Sequence, residues 1–174
     1  MASPIEIGPI EVDDALRSDL PAILEIYNEV IAHTTAVYSE APVTLADREA
    51  WYVGRLEQAY PILAARRDGI CLGFGSFGDF RAWPCYRHTV EHSVHVHADA
   101  RGQGIGFRLV EALIDRAARL GKHVMVAGID ADNQASLGLH RQLGFSQVGH
   151  FPEVGRKFDR WLDLVFMSRH LEQP

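Results

Sequence analysis

The tightest constraint in this chain is an abrupt change of periodicity around residue 100. Residues 89–97 (T-V-E-H-S-V-H-V-H) alternate in the manner of a strand, and after Ala98-Asp99-Ala100 the run Arg101-Gly102-Gln103-Gly104-Ile105-Gly106 opens a segment of period 3.6. One element cannot serve both periods, so the glycines must turn the chain between a strand and a helix. The helix, residues 103–120, carries Ile105, Leu109, Ala112, Leu113, Ala117 and Leu120 inward and Arg108, Glu111, Asp115 and Arg119 outward, and Gly121 is placed to end it. A further strand over residues 123–129 completes a β-α-β unit, whose strands should be parallel and right-handed in crossover.

The flanking segments fill in the rest. Residues 10–15 read as a first strand. Ser18 or Asp19 can cap a helix with Pro21 in its first turn and Ile23, Ile26, Tyr27 and Val30 on one stripe. A second helix, capped by Thr44, runs to about Leu56. Residues 62–67 and 70–77 form two strands hinged at Asp68-Gly69, a pair suited to the positive φ angles of a tight hairpin. Residues 80–88 (F-R-A-W-P-C-Y-R-H) are too irregular for an element and read as a loop. Asn133 caps a helix through Leu143 that Gly144 closes, and strands over 145–154 and 161–167 finish the chain. This order gives one domain, residues 1–174, of the α/β (mixed α+β) class, with helices on both faces of a mixed sheet.

Composition narrows the partners. With 174 residues, 47% hydrophobic and 23% charged, the chain can bury a full core and is neither disordered nor fibrous. A formal charge of −6 gives no electrostatic reason to bind nucleic acid. No apolar run reaches membrane-spanning length, and Met1, Ala2, Ser3, Pro4, Ile5 and Glu6 lack the basic-then-apolar order of a leader, so a cytoplasmic location is expected. Cys71 and Cys85 show no C-x-x-C spacing and read as reduced thiols.

The glycine turn reads as a phosphate cradle. Glycines let a ligand approach the backbone, the first helical N–H groups lack internal partners, and the helix dipole favours an anion there. Arg101 adds a formal charge. The bland alternative is a tight turn whose glycines only relieve strain. A dinucleotide site is the sharper rival, with Asp130 where a ribose-binding acid could lie. The spacing G-x-G-x-G, the late position in the chain and the polar residues between strand and glycine argue against it.

The motif R-x-x-G-x-G after a strand resembles the acetyl-CoA signature of the GNAT superfamily of acetyltransferases. Residues 133–145 (N-Q-A-S-L-G-L-H-R-Q-L-G-F) resemble its second cofactor segment, and T-V-E-H-S-V at 89–94 resembles its phosphinothricin and methionine sulfoximine acetyltransferase branch. The likeness spans Leu20 to Leu171. It implies a mostly antiparallel sheet with one splayed parallel pair and acetyl-CoA as co-substrate. Val94, His95 and Val96 would hold the pantetheine arm as an extra strand. Arg101, Gly102, Gln103, Gly104, Ile105, Gly106 and Phe107 would hold the pyrophosphate, and Asn133 would reach the cofactor from the next strand's end.

Acetyl transfer to an amine needs a base, because an α-amino group is mostly protonated at neutral pH. Glu91 is the candidate: alternation puts Glu91, Ser93 and His95 on one strand face and Val90, His92, Val94 and Val96 on the other, and the resemblance places a glutamate here. A solvated strand carboxylate is the alternative. His140 stands where many superfamily members carry a tyrosine acid, and acid, relay and packing all remain open for it. Arg81 could pair with a carboxylate or a tetrahedral oxyanion of the acceptor, with Trp83 and Tyr86 walling the same pocket, or it could be a surface charge. Asn28 and Glu29 flank the pocket by resemblance alone.

His88, His92, His95 and His97 invite a metal, but His92 points away from His95 and no acid or cysteine joins them, so no metal is expected. The leading function is N-acetylation of a small amino-acid-like amine such as phosphinothricin, methionine sulfoximine or methionine sulfone. A protein or peptide acetyltransferase and a non-catalytic acyl-CoA sensor are the alternatives. By resemblance the chain is a homodimer.

Overall fold

The computed structural model describes residues 8–172; the N-terminal segment read for a leader lies outside them. The chain forms β1 (Glu11–Asp14), α1 (Leu20–His33), α2 (Leu45–Glu57), β2 (Ile62–Arg67), β3 (Ile70–Asp79), β4 (Thr89–Val96), α3 (Ile105–Arg119), β5 (Val124–Asp130), α4 (Gln134–Gln142), β6 (Ser146–Lys157) and β7 (Arg160–His170). The strands make one sheet in the order β1-β2-β3-β4-β5-β7-β6. Every neighbouring pair is antiparallel except β4 and β5. A parallel dinucleotide-binding sheet is thereby ruled out.

Local chemistry sets the turns. Asp68 and Gly69 both take positive φ, 51° and 79°, between β2 and β3, as a type I′ hairpin requires. Thr44 and Asp47 form a capping box at α2, with Thr44 N–H donating to Asp47 at 2.7 Å. Asp19 precedes α1 without capping it by side chain; its carboxylate instead accepts from Leu16 N–H at 2.7 Å and pairs with Arg66 on β2. Burial pushes Asp19 up, but the Arg66 and Leu16 hydrogen bonds outweigh it and hold the carboxyl below its ordinary value.

The two sheet faces carry separate cores. Ile105, Leu109, Val110, Leu113 and Ala117 of α3 pack with Val90, Met125, Ala127 and Phe145 on one side. Leu20, Ile23 and Ile26 of α1 pack with Ala64 and Phe74 on the other, where Trp51 and Tyr52 of α2 lean in. Leu109 and Leu113 are wholly buried, and each fully buried leucine contributes about 2 kcal/mol from area removed from water. Gly73 and Gly75 bring β3 close to α3: a Cβ on Gly73 would stand 3.1 Å from the Ile105 side chain. No helix among the described residues is long and apolar enough to cross a membrane.

The parallel pair is short. Thr89, Val90 and Glu91 register with Val124, Met125 and Val126, and there the pairing ends. β4 continues against β3 to Val96, and β5 continues against β7 to Asp130, so the sheet forks between them.

Candidate active site at the strand fork

The backbone of the fork follows from the ladder. Phe80 N–H donates to Thr89 and His97 N–H donates to Leu72, which sets the odd-numbered residues of β4 to bond with β3. The even-numbered residues therefore turn their amides and carbonyls toward β5, and beyond Glu91 no β5 residue is in register to receive them. Val94 and Val96 thus present edge-strand groups inside a continuous sheet. His95, grouped with them from sequence, is different: its backbone pairs with Phe74, and its ring is buried edge-on to Tyr27 at 5.4 Å. An added strand in the fork would engage Val94 and Val96 but not His95.

At the open end of the fork stands the α3 N-terminus. Gly102 and Gly104 have φ of 76° and 77°, a region that L side chains resist, and Gly104 serves as N-cap with no side chain to satisfy the helix. Arg108 N–H, bonding to Gly104, is the first amide to close a helical turn, so those of Ile105, Gly106 and Phe107 are left for a ligand. Gly106 serves contact: a Cβ there would lie 3.3 Å from Leu139 of α4. The side chains sequence had aimed at a phosphate are engaged otherwise. Arg101 pairs with Glu29 of α1 and donates from Nε to Val96 carbonyl at 3.2 Å. Gln103 accepts from Arg67 at 2.9 Å and donates to Asp99 carbonyl at 3.2 Å. In this arrangement any phosphate grip comes from backbone amides.

Asn133 caps α4, its Oδ1 accepting from Ser136 N–H at 3.1 Å. It also lines a cleft of about 310 Å³ with His33, Thr34, Thr35, Ala36, Asp132 and Arg160, at the end of β5. Asn28, which flanked the pocket by resemblance, holds the α1–α2 loop instead: it donates to Val43 carbonyl at 3.0 Å and accepts from Val43 N–H at 2.9 Å.

Glu91 lies at the last paired position before the fork, on the α1–α2 face. A Cβ on Gly128 of β5 would come within 3.1 Å of Glu91 Oε1 and 3.5 Å of the Phe166 ring, so glycine makes the space for the carboxylate beside that ring. Burial raises the Glu91 carboxyl above its ordinary value, and the Arg81 guanidinium opposes the rise. Arg81 lies over the Phe80 ring, 4.0 Å from its centroid, and donates to Phe80 carbonyl at 2.7 Å. Phe80 packs edge-on to Tyr86 and to Phe166, at 5.9 and 6.2 Å. Trp83, expected beside them, is 68% exposed and meets no other ring among the described residues. Gly128 and Phe166 went unmarked in the sequence, and Phe80 was read only as part of the loop 80–88; an aromatic strand residue such as Phe166 reads as core there, and nothing local ties it to Glu91.

His140 is buried with both ring nitrogens engaged, Nδ1 with Ser136 carbonyl at 2.7 Å and Nε2 with His92 Nε2 at 3.1 Å. A free Nε2 donor, which an acid role needs, is therefore not what the ring offers. Among the described residues no three His, Cys, Asp or Glu side chains converge as a metal site.

A forked sheet with unpaired β4 backbone, a bare helix N-terminus and a desolvated carboxylate define an acyl-transferring fold. The description "Acetyltransferase (GNAT) family" matches residues 23–145, and the chain belongs to that family; it is an acetyltransferase. It is 52% identical over 162 residues to the L-methionine sulfoximine/L-methionine sulfone acetyltransferase of Pseudomonas paraeruginosa, covering 92% of this chain and 94% of that one. It is 48% identical over 159 residues to the L-amino acid N-acyltransferase MnaT of Escherichia coli, covering 91% and 92%. Among solved structures it superposes on yncA from Salmonella typhimurium, which holds its cofactor acetyl-CoA, with a TM-score of 0.92, 45% identity and 95% of each chain covered.

Proposed function

We propose that this enzyme transfers acetyl from acetyl-CoA to the amino group of a small amino-acid-like acceptor of the methionine sulfoximine, methionine sulfone or phosphinothricin type. The observation that carries the reading is the half-buried Glu91 carboxylate at the fork, beside Gly128 and within electrostatic reach of the Arg81 guanidinium. Acetyl-CoA supplies the thioester. The Val94 backbone and the Val96 N–H, turned into the fork, suit an extended arm that bears amides, Val96 carbonyl being already bonded to Arg101, and the amides of residues 102–107 suit a diphosphate. The Val94 N–H is aimed to polarise the acetyl carbonyl as negative charge gathers on its oxygen.

Glu91 takes the proton from the acceptor ammonium, directly or through one water, and the freed amine attacks the carbonyl carbon. The C–N bond forms, the C–S bond breaks and the sulfur leaves as thiolate; the second proton of the attacking nitrogen passes to solvent water, and water protonates the sulfur to the thiol. Burial suits the carboxylate to this task because it strengthens the base while Arg81 keeps it ionisable. Arg81 binds the acceptor's carboxylate or tetrahedral oxyanion, with Tyr86 and Phe80 beneath it.

The test is thiol release with methionine sulfoximine, methionine sulfone, phosphinothricin, ordinary amino acids and short peptides as acceptors. Turnover with the first group and little with peptides is expected. Preference for peptides would replace this reading with a protein acetyltransferase, and binding of acetyl-CoA without turnover would leave a sensor. The reading includes a cytoplasmic location and a homodimer. The dimer is supported by the outer β6–β7 hairpin, where Phe151, Val154, Phe158 and Trp161 are exposed at one end of the sheet.

A further inference from the structure

His92 is the first residue of β4 beyond its last β5 partner, and its side chain drops toward α4, on the face opposite Glu91. Its ring lies nearly parallel to that of His140, with centroids 5.1 Å and planes 23° apart and the two Nε2 edges facing, and Phe145 packs edge-on to both, at 5.8 and 5.1 Å. The two Nε2 atoms are 3.1 Å apart, and His140 Nδ1 is 2.7 Å from Ser136 carbonyl.

Counting hydrogens fixes where the protons sit. A carbonyl oxygen can only accept, so the 2.7 Å contact to Ser136 carbonyl requires a hydrogen on His140 Nδ1; the Ser136 hydroxyl, farther away at 3.4 Å, can accept from the same N–H, and in the neutral ring Nε2 is a lone pair. The short Nε2–Nε2 contact needs one hydrogen, and His92 must supply it. His92 Nδ1 is then a lone pair, and it is buried without a hydrogen-bond partner among the described residues.

A further proton on this pair would be stranded. The groups around it are Ser136, Phe145 and, across the strand, His95; no carboxylate among the described residues enters its electrostatics. Burial, then repulsion from His140 and His95, pushes His92 down to about 3. Burial lowers His140 as well, against the pull of the Ser136 carbonyl.

We propose that His92 is a positioning residue: by donating its Nε2–H it locks His140 as the neutral Nδ1–H tautomer with its lone pair occupied, so that His140 does not protonate the departing thiolate. The inference rests on the acetyl-transfer reading for its catalytic meaning. The sulfur leaves as thiolate and takes its proton from solvent water, while the amine's proton goes to Glu91.

Long-range proton–nitrogen spectra of the ¹⁵N-labelled wild-type enzyme read the two tautomers without any turnover. Neutral rings with opposite tautomers, Nδ1–H on His140 and Nε2–H on His92, are expected at the ordinary imidazole midpoint of about 6.5 and above, since both rings are shifted downward. An imidazolium signature from either ring in that range, or Nε2–H on His140, overturns the proposal. His92→Gln keeps an N–H for His140 and should hold kcat within about twofold. His92→Phe keeps the burial but removes the donor, so it should let both His140 tautomers appear, with acetyl-CoA affinity unchanged by titration. A His140 tautomer unaltered in His92→Phe also overturns it. If no amine is acetylated, the proposed function fails, and the wild-type spectra still decide the tautomers.

Discussion

A single carboxylate carries opposite consequences for activity and stability. The native pKa of Glu91 is raised, because burial outweighs Arg81, so the folded state binds its proton more readily than the unfolded chain does. Stability linked to this group is thus full below the unfolded carboxylate range and declines as pH rises through the native value. Activity runs the other way, since a base must be deprotonated. Glu91→Gln should lower kcat/KM by about 10²- to 10⁴-fold at neutral pH while raising Tm there, with the Tm advantage vanishing near pH 4. Calorimetry at two pH values beside the thiol assay checks both halves. Arg81→Ala should raise KM for the acceptor roughly 10- to 100-fold, from loss of a charge-assisted hydrogen bond, and leave acetyl-CoA affinity unchanged by titration. The strand position and face of Glu91 were legible in sequence because alternation fixes them. The Gly128–Phe166 surface beside it was not, since it joins residues from β5 and β7 that only the sheet order brings to β4.

Among the elements, the turn into α3 shows how far local rules reach. Its glycines and the stripe that buries Leu109 and Leu113 follow from periodicity and φ preference; the helix itself is shorter than the expected 103–120, running Ile105–Arg119, and Leu120, expected inward, is its exposed C-cap. What the side chains of that turn do was not legible, because Arg101 meets Glu29 of α1 and Gln103 meets Arg67 of β2 across the fold. Gly104→Ala separates backbone from side chain here. A methyl at φ 77° should cost about 1 kcal/mol of stability and weaken acetyl-CoA binding by tenfold or more, measured by calorimetric titration. The same lesson applies to α4. Its Asn133 cap is local and was anticipated, whereas the His92–His140 contact needs β4 and α4 to be neighbours.

For the whole molecule, the sheet's two ends differ. β1 is a short edge, whereas the β6–β7 hairpin ends the sheet with Trp161 61% exposed and Phe151 48% exposed. If that surface seats a second copy, Trp161→Glu should halve the mass found by light scattering; an unchanged mass removes the hairpin from the interface. Fold class was open to sequence reasoning because strands, turns and helices alternate in a diagnostic order. Assembly was not, since an exposed aromatic strand residue and a buried one are written alike.

The fork also has a mechanical meaning. Two half-sheets, β1 to β4 and β5 to β7, meet along a short seam, the register from Thr89 to Glu91 with His88 carbonyl accepting from His123 and Val124 N–H just before it, and the rest of the junction is left open on the side where the α3 N-terminus lies. An elongated guest lying along Val94 and Val96 would stitch the halves together. Backbone amides on those two residues should exchange with deuterated solvent far more slowly once it is bound, while those of His95, already zipped to Phe74, should barely change.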